Sequence, residues 1–138
     1  MPTPEELLAV ERISPNELAG VLRSDVEHPV IVDVRDEDFE LEGHIVDAEH
    51  VPSGAFKEDA AVDALVAKFG NRPEVVFHCG HSVTRGPTCA LRFIERAGAA
   101  GVKPHVRVLA GGFADFAEKF ADAADLVTPS VQPNIKTE

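Results

Sequence analysis

Cysteine is scarce in this chain: Cys79 and Cys89 are the two among 138 residues. Ten residues apart, they make neither a zinc knuckle nor a disulfide framework. That excludes a stapled secreted scaffold and points to a reducing compartment, the cytoplasm or the nucleus. Basic residues are also few, 13 against 24 acidic ones, for a net charge of −11. Nucleic acid is excluded as a partner, because phosphate backbones reward basic surfaces. A small anion is not excluded, since exposed carboxylates more than about 8 Å away count for little at physiological salt. Long apolar runs are missing too. None approaches the roughly 20 residues that cross a bilayer, so no membrane partner is expected. The acidic start "MPTPEELLAVER" does not read as a secretory or transit peptide.

What is present is an ordinary globular composition, 44% hydrophobic and 27% charged, at the length of one compact domain. "TPEE" places Thr3 as the cap of a short helix, with Pro4 first and Glu6 reaching back. "ERIS" reads as a short strand. "SPNELAGVLRS" repeats the capping box with Ser14, Pro15 and Glu17, and Leu18, Val21 and Leu22 form its apolar stripe. "PVIVDVR" and "EVVFH" are β-branched apolar runs of the kind found in buried parallel strands. "DEDFELEGHI" is a polar turn or short helix stopped at Gly43, and a brief strand follows at Glu49 to Val51. Helical spacing joins Val62, Leu65, Val66 and Phe69, with Gly70 as the stop. "GPTCALRFIERAG" is the next helix, "HVRVLAGG" a strand, and "FADFAEKFADAADL" a helix with a phenylalanine stripe. Alternating strands and helices predict a single α/β domain over residues 1–127, built on a mainly parallel central sheet flanked by helices. Residues 128–138 read as an extended C-terminal tail.

One loop stands out. In "FHCGHSVTRGPTCA", Cys79 ends an apolar strand, Arg85 closes a seven-residue loop, and Gly86-Pro87 opens a helix. Ligands of such sheets sit beyond the carboxyl ends of the strands. The loop therefore faces a helix N-terminus, whose free N–H groups and positive dipole end favour an anion. A thiol placed there is expected to ionise more readily than the ordinary value of about 8.5, which makes Cys79 a nucleophile at neutral pH. Arg85 could grip two oxygens of a tetrahedral oxyanion with its planar fork. Ser82 and Thr84 add hydroxyls that can stabilise a thiolate or a leaving group.

This loop resembles that of the single-domain rhodanese superfamily, on the branch that holds cell-division-cycle dual-specificity phosphatases and eukaryotic arsenate reductases. "IVDVRDEDFELEGHIVDAEHVPSG" is similar to the family's Asp-x-Arg…Gly-His-Ile segment, and "VLAGGF" to its terminal strand-turn. "FHCGHSVTRGPTCA" is most similar to the small plant-type arsenate reductases. The resemblance implies a single rhodanese-like domain in which Cys79 is the nucleophile and Arg85 binds the oxyanion. The backbone of Gly80, His81, Ser82, Val83 and Thr84 then forms the cradle. Sulfurtransferase members carry a six-residue loop, whereas the seven residues here match the wider branch that takes phosphate or arsenate.

Three departures from the family pattern bear on the activity. The cell-cycle phosphatases carry acids inside the loop, where Gly80 and Thr84 stand here, and ester cleavage needs a proton for its leaving oxygen. Their partner cysteine is Val34 here. The plant relatives end in a zinc-binding tail, while "TPSVQPNIKTE" has no cysteine, so no metal is expected. The resemblance thus implies a thiol-dependent arsenate reductase acting on arsenate, with weak phosphatase activity. No bound cofactor is expected, and glutathione with glutaredoxin is the expected reductant. The alternative is a protein tyrosine or dual-specificity phosphatase. A sulfurtransferase and an idle binding module come behind both.

Other residues have competing readings. Cys89 reads as core packed near Phe93, or else as a resolving thiol. His81 could donate to substrate or be solvated. His78 orients the loop from beneath, while Asp33, Arg35 and His44 brace it. Glu37, Asp38, Glu40 and Glu42 read as a solvated acidic face, with a general acid among them only if the segment folds over the mouth. Gly111 and Gly112 permit a tight turn.

Overall fold

The computed structural model describes residues 2–129, apart from the side chain of residue 40. Among the described residues seven strands run in chain order: β1 (Arg12–Ile13), β2 (Val30–Asp33), β3 (His44–Ile45), β4 (Glu49–His50), β5 (Glu74–His78), β6 (His105–Leu109) and β7 (Val127–Thr128). The helices are α1 (Pro4–Ala9), α2 (Pro15–Leu22), α3 (Asp38–Leu41), α4 (Asp59–Phe69), α5 (Arg85–Ala99) and α6 (Gly112–Phe120), with a 3-10 turn at Ser53–Phe56. Five strands form one parallel sheet in the order β1-β6-β5-β2-β4. The chain is therefore the α/β domain with a parallel central sheet that the alternation of elements predicts.

Strand alternation divides the core into two layers. Val30, Val32 and Val34 of the β2 segment, with Val75 and Phe77 of β5, face α4 and α5, where Val62, Val66, Phe69, Ala90 and Phe93 meet them. Ile31 and Val76 face the other way, toward Leu18 of α2 and Phe113 and Phe116 of α6. Phe77 and Phe93 pack at a centroid distance of 5.4 Å. Each large apolar side chain buried in these layers is worth about 1.5–3 kcal/mol.

Thr3 and Glu6 form the full capping box of α1. On α2 only half of it forms. Ser14 accepts from the Glu17 N–H, but the Glu17 carboxylate receives Arg107 of β6 instead of turning back. An ion pair to a neighbouring strand takes the place of the local hydrogen bond. Leu18 is buried as expected, while Val21 and Leu22 are half-buried and Ala19 fills the contact.

Two short strands carry no periodic signal. β3 and β7 pair antiparallel, His44 opposite Thr128 and Ile45 opposite Val127. β7 crosses position 127, the expected end of the domain, and the expected tail from 130 onward lies outside the described residues. Among the described residues, no helix is long and apolar enough to cross a membrane.

Candidate active site

Cys79 follows β5 directly, and α5 begins at Arg85, one residue earlier than the Gly-Pro pair suggests. The Cys79 side chain lies on the α5 face of the sheet, buried at 4% exposure. Its Sγ accepts two backbone hydrogen bonds, from the Ser82 N–H at 3.2 Å and from the Gly86 N–H at 3.2 Å. One donor belongs to the loop and the other to the first turn of α5, where helical N–H groups have no helical acceptor. Sulfur, loop amide and helix N-terminus thus converge on one point.

Backbone packing holds the loop from the opposite side. The Phe113 N–H donates to the Cys79 carbonyl at 2.9 Å, and the Ala114 N–H donates to the Gly80 carbonyl at 2.8 Å. These are free N-terminal amides of α6, so one helix end supports the loop while another faces its sulfur. The approach is so close that a Cβ on Gly112 would lie 2.5 Å from the Gly80 carbonyl oxygen, and its φ is +64°. Gly112 therefore does more than make a turn. Ser82 also has a positive φ, 58°, and is buried with its hydroxyl unpartnered. His81, Val83 and Thr84 are exposed.

Beneath the loop lies a buried polar group set by strand register. Asp33 of β2 pairs with His78 of β5, and Arg35 follows two residues on, so all three project to the α6 side. Arg35 is fully buried and grips Asp33, donating from Nη2 to Oδ2 at 2.7 Å and from Nε to Oδ1 at 3.0 Å. Nη2 also donates to the Gly43 carbonyl at 2.8 Å, which ties β2 to the end of α3. The His78 Nδ1–H donates to the Cys79 carbonyl at 3.0 Å. Burial pushes the His78 imidazole below its ordinary value, more strongly than nearby Asp33 pushes it up. His44 stacks on Phe39 at 4.2 Å, and His50 stacks on it at 4.0 Å. Phe39 thereby anchors α3 to the domain, a role that neither it nor His50 signals in the sequence.

α3 and the turn before it deliver the unexpected neighbours of Arg85. Its guanidinium donates from Nη2 to Asp38 Oδ2 at 3.1 Å and from Nη1 to Asp36 Oδ2 at 3.4 Å. Asp38 is thus no member of a solvated acidic face. Burial raises its carboxyl, but the Arg85 hydrogen bond and charge outweigh this and hold it below the usual carboxylate range. Glu37 and Glu42 are exposed. Cys89 sits in the core beside Phe93 and Cys79. Burial, helped by the Cys79 charge, pushes its thiol up to about 12, so it stays protonated at neutral pH.

Two clefts share Arg85 as a wall. One, of about 350 Å³, is lined by Asp36, Glu37, Asp38 and Leu41. The other, of about 510 Å³, is lined by Phe56, Lys57, Thr84, Thr88 and Cys89 among others. Arg92 steadies the second by donating to the Phe56 carbonyl at 2.9 Å.

With this geometry in view, comparisons place the chain among known proteins. It is 39% identical over 87 residues to the dual specificity phosphatase Cdc25 of Arabidopsis thaliana, covering 60% of this chain and 58% of the relative. It is 36% identical over 87 residues to arsenate reductase 2.1 of Oryza sativa subsp. japonica, covering 63% and 52%. The chain spans little more than half the length of these curated relatives. An As-Sb reductase structure from Leishmania major superposes with a TM-score of 0.77 at 28% identity, over 85% of this chain and 84% of that one. Residues 14–119 match the family model of the Rhodanese-like domain, and the chain belongs to that family.

Proposed function

We propose that this domain is a thiol-dependent arsenate reductase with Cys79 as its nucleophile. The observation that carries the reading is the Cys79 sulfur, held between the Ser82 and Gly86 N–H groups, with Arg85 opening the helix that supplies the second donor. The Cys79 sulfur bonds to arsenic as one arsenate oxygen leaves as water. A glutathione sulfur then bonds to the Cys79 sulfur. The S–As electron pair leaves with arsenic, which departs as arsenite with the thiol's proton. A second thiol, or glutaredoxin, reduces the mixed disulfide and returns Cys79. Across the cycle arsenate gains two electrons and two thiols become one disulfide.

Two features favour reduction over ester hydrolysis. The loop itself carries no acid between Cys79 and Arg85. Asp38, the nearest carboxyl to Arg85, is held in its ionised form, which suits it poorly to protonate a leaving alkoxide. The second reading, a dual-specificity phosphatase, draws support from the Arabidopsis relative. Paired assays separate the two: arsenite formation with glutathione and glutaredoxin, and hydrolysis of an aryl phosphate, each for wild type and Cys79→Ser. Reductase activity that vanishes in Cys79→Ser supports the proposal. Robust hydrolysis without arsenite formation overturns it in favour of the phosphatase.

A further inference from the structure

The Arg85 fork is already occupied. Nη2 donates to Asp38 and Nη1 to Asp36, so the two arms that would hold an oxyanion hold carboxylates instead. The Asp38 carboxylate is built in place. Asp38 Oδ1 accepts from the Asp36 N–H at 2.9 Å, leaving Oδ2 for the guanidinium. The helix that carries Asp38 is pinned by Phe39, which stacks on both His44 and His50. It is pinned again by Arg35, which reaches across to the Gly43 carbonyl at its far end. The Arg85 side chain, by contrast, remains 37% exposed and extends from the first residue of α5. In an exchange of partners Asp38 stays and the arginine moves.

We infer that Asp38, with Asp36, is a specificity-determining latch that competes with the bound oxyanion for Arg85. The inference rests on the reading of the loop as an oxyanion cradle and requires no reductase activity. Its chemistry follows from charge. A dianion such as arsenate or phosphate can outbid two carboxylates, because it brings equal charge on one compact group and gains the loop amides as well. A monoanion brings half that charge and competes poorly. Arsenous acid, uncharged at neutral pH, cannot compete at all, so the acids recapture Arg85 once arsenic is reduced. The latch therefore lowers affinity for every oxyanion, favours dianions, and drives release of the trivalent product. Asp38 acts through Arg85, which makes it a positioning residue.

The test is calorimetric titration of inorganic phosphate into wild type, Asp38→Asn and Asp38→Glu. Asp38→Asn is expected to bind phosphate about two- to fivefold tighter, the worth of one partly exposed ion pair. Asp38→Glu, which keeps the charge, should return affinity toward that of the wild type. A merely structural role would weaken binding in both variants. Equal or weaker binding by Asp38→Asn overturns the latch while leaving the cradle intact. Phosphate that binds neither wild type nor Asp38→Asn ends both readings. Should Asp38→Asn fail to fold, Asp36→Asn decides by the same criterion, since it removes the longer of the two contacts and leaves the Asp38 carboxylate in place.

Discussion

Arg35 and Asp33 form an ion pair at 2.7 Å with both side chains fully shielded from solvent. They are neighbours on one face because strand side chains alternate, and Arg35 Nη2 also donates to the Gly43 carbonyl. Removing one member leaves a buried charge without its partner. Arg35→Met or Asp33→Asn is therefore predicted to cost about 3–5 kcal/mol, while the joint replacement Asp33→Leu/Arg35→Met costs much less. Guanidinium denaturation followed by far-UV circular dichroism measures this, since the chain has no tryptophan to report by fluorescence. Equal losses in the single and joint variants would show that the pair has no such coupling.

The two glycines before α6 should respond differently to alanine. A Cβ on Gly111 meets the Asp115 side chain, whose carboxylate can rotate away but whose Cβ, at 2.7 Å, requires a small shift of the first turn of α6. A Cβ on Gly112 meets the Cys79 and Gly80 carbonyl oxygens at 2.6 and 2.5 Å, and these are backbone atoms of the active loop. Both positions share the cost of a positive φ. Gly112→Ala is predicted to lose more stability than Gly111→Ala and to depress turnover as well, because relief of the clash must displace the loop. Melting curves and activity of the two variants, measured together, provide the comparison.

Acidification should weaken the fold before the carboxylates titrate. His78 and His44 are both pushed below the ordinary 6.5, in each case chiefly by burial, so the folded protein holds them neutral. The unfolded chain takes up these protons first as pH falls. The stability they contribute is thus fully present above about 6.5 and is lost as pH falls toward their folded values. Asp38, held below its ordinary 3.8, adds a loss only at lower pH. Denaturation midpoints between pH 8 and 5 should fall, and His78→Asn should flatten that dependence. A wild-type midpoint that stays level across this range would contradict the account.

Much of this arrangement is legible from the sequence, and the boundary is physical. Capping residues, β-branched runs and the Cys79-to-Arg85 loop are local signals, and the elements they announce are where the spacing places them. His78 and Asp33 lie on adjacent strands whose order follows from parallel α/β packing. The contacts of Arg85 are different. Asp36 and Asp38 stand 49 and 47 residues before it, and of the two only Asp38 is among the acids that read in the sequence as a solvated face. What brings them to the loop is Phe39 wedged between two imidazoles, a tertiary contact with no spacing of its own. β3 and β7, two residues each, are likewise defined by each other and not by pattern.

The most direct test of the proposed chemistry is mass spectrometry of the intact protein, and of its peptides, after incubation with arsenate and a single equivalent of glutathione, without glutaredoxin, so that no second thiol is left to resolve the adduct. The account predicts one glutathione per chain, attached at Cys79, formed only when arsenate is present and absent from Cys79→Ser. Cys89, buried and with its thiol pushed up to about 12, should stay unmodified. A protein that remains unmodified, or that carries its adduct on Cys89, would contradict the account.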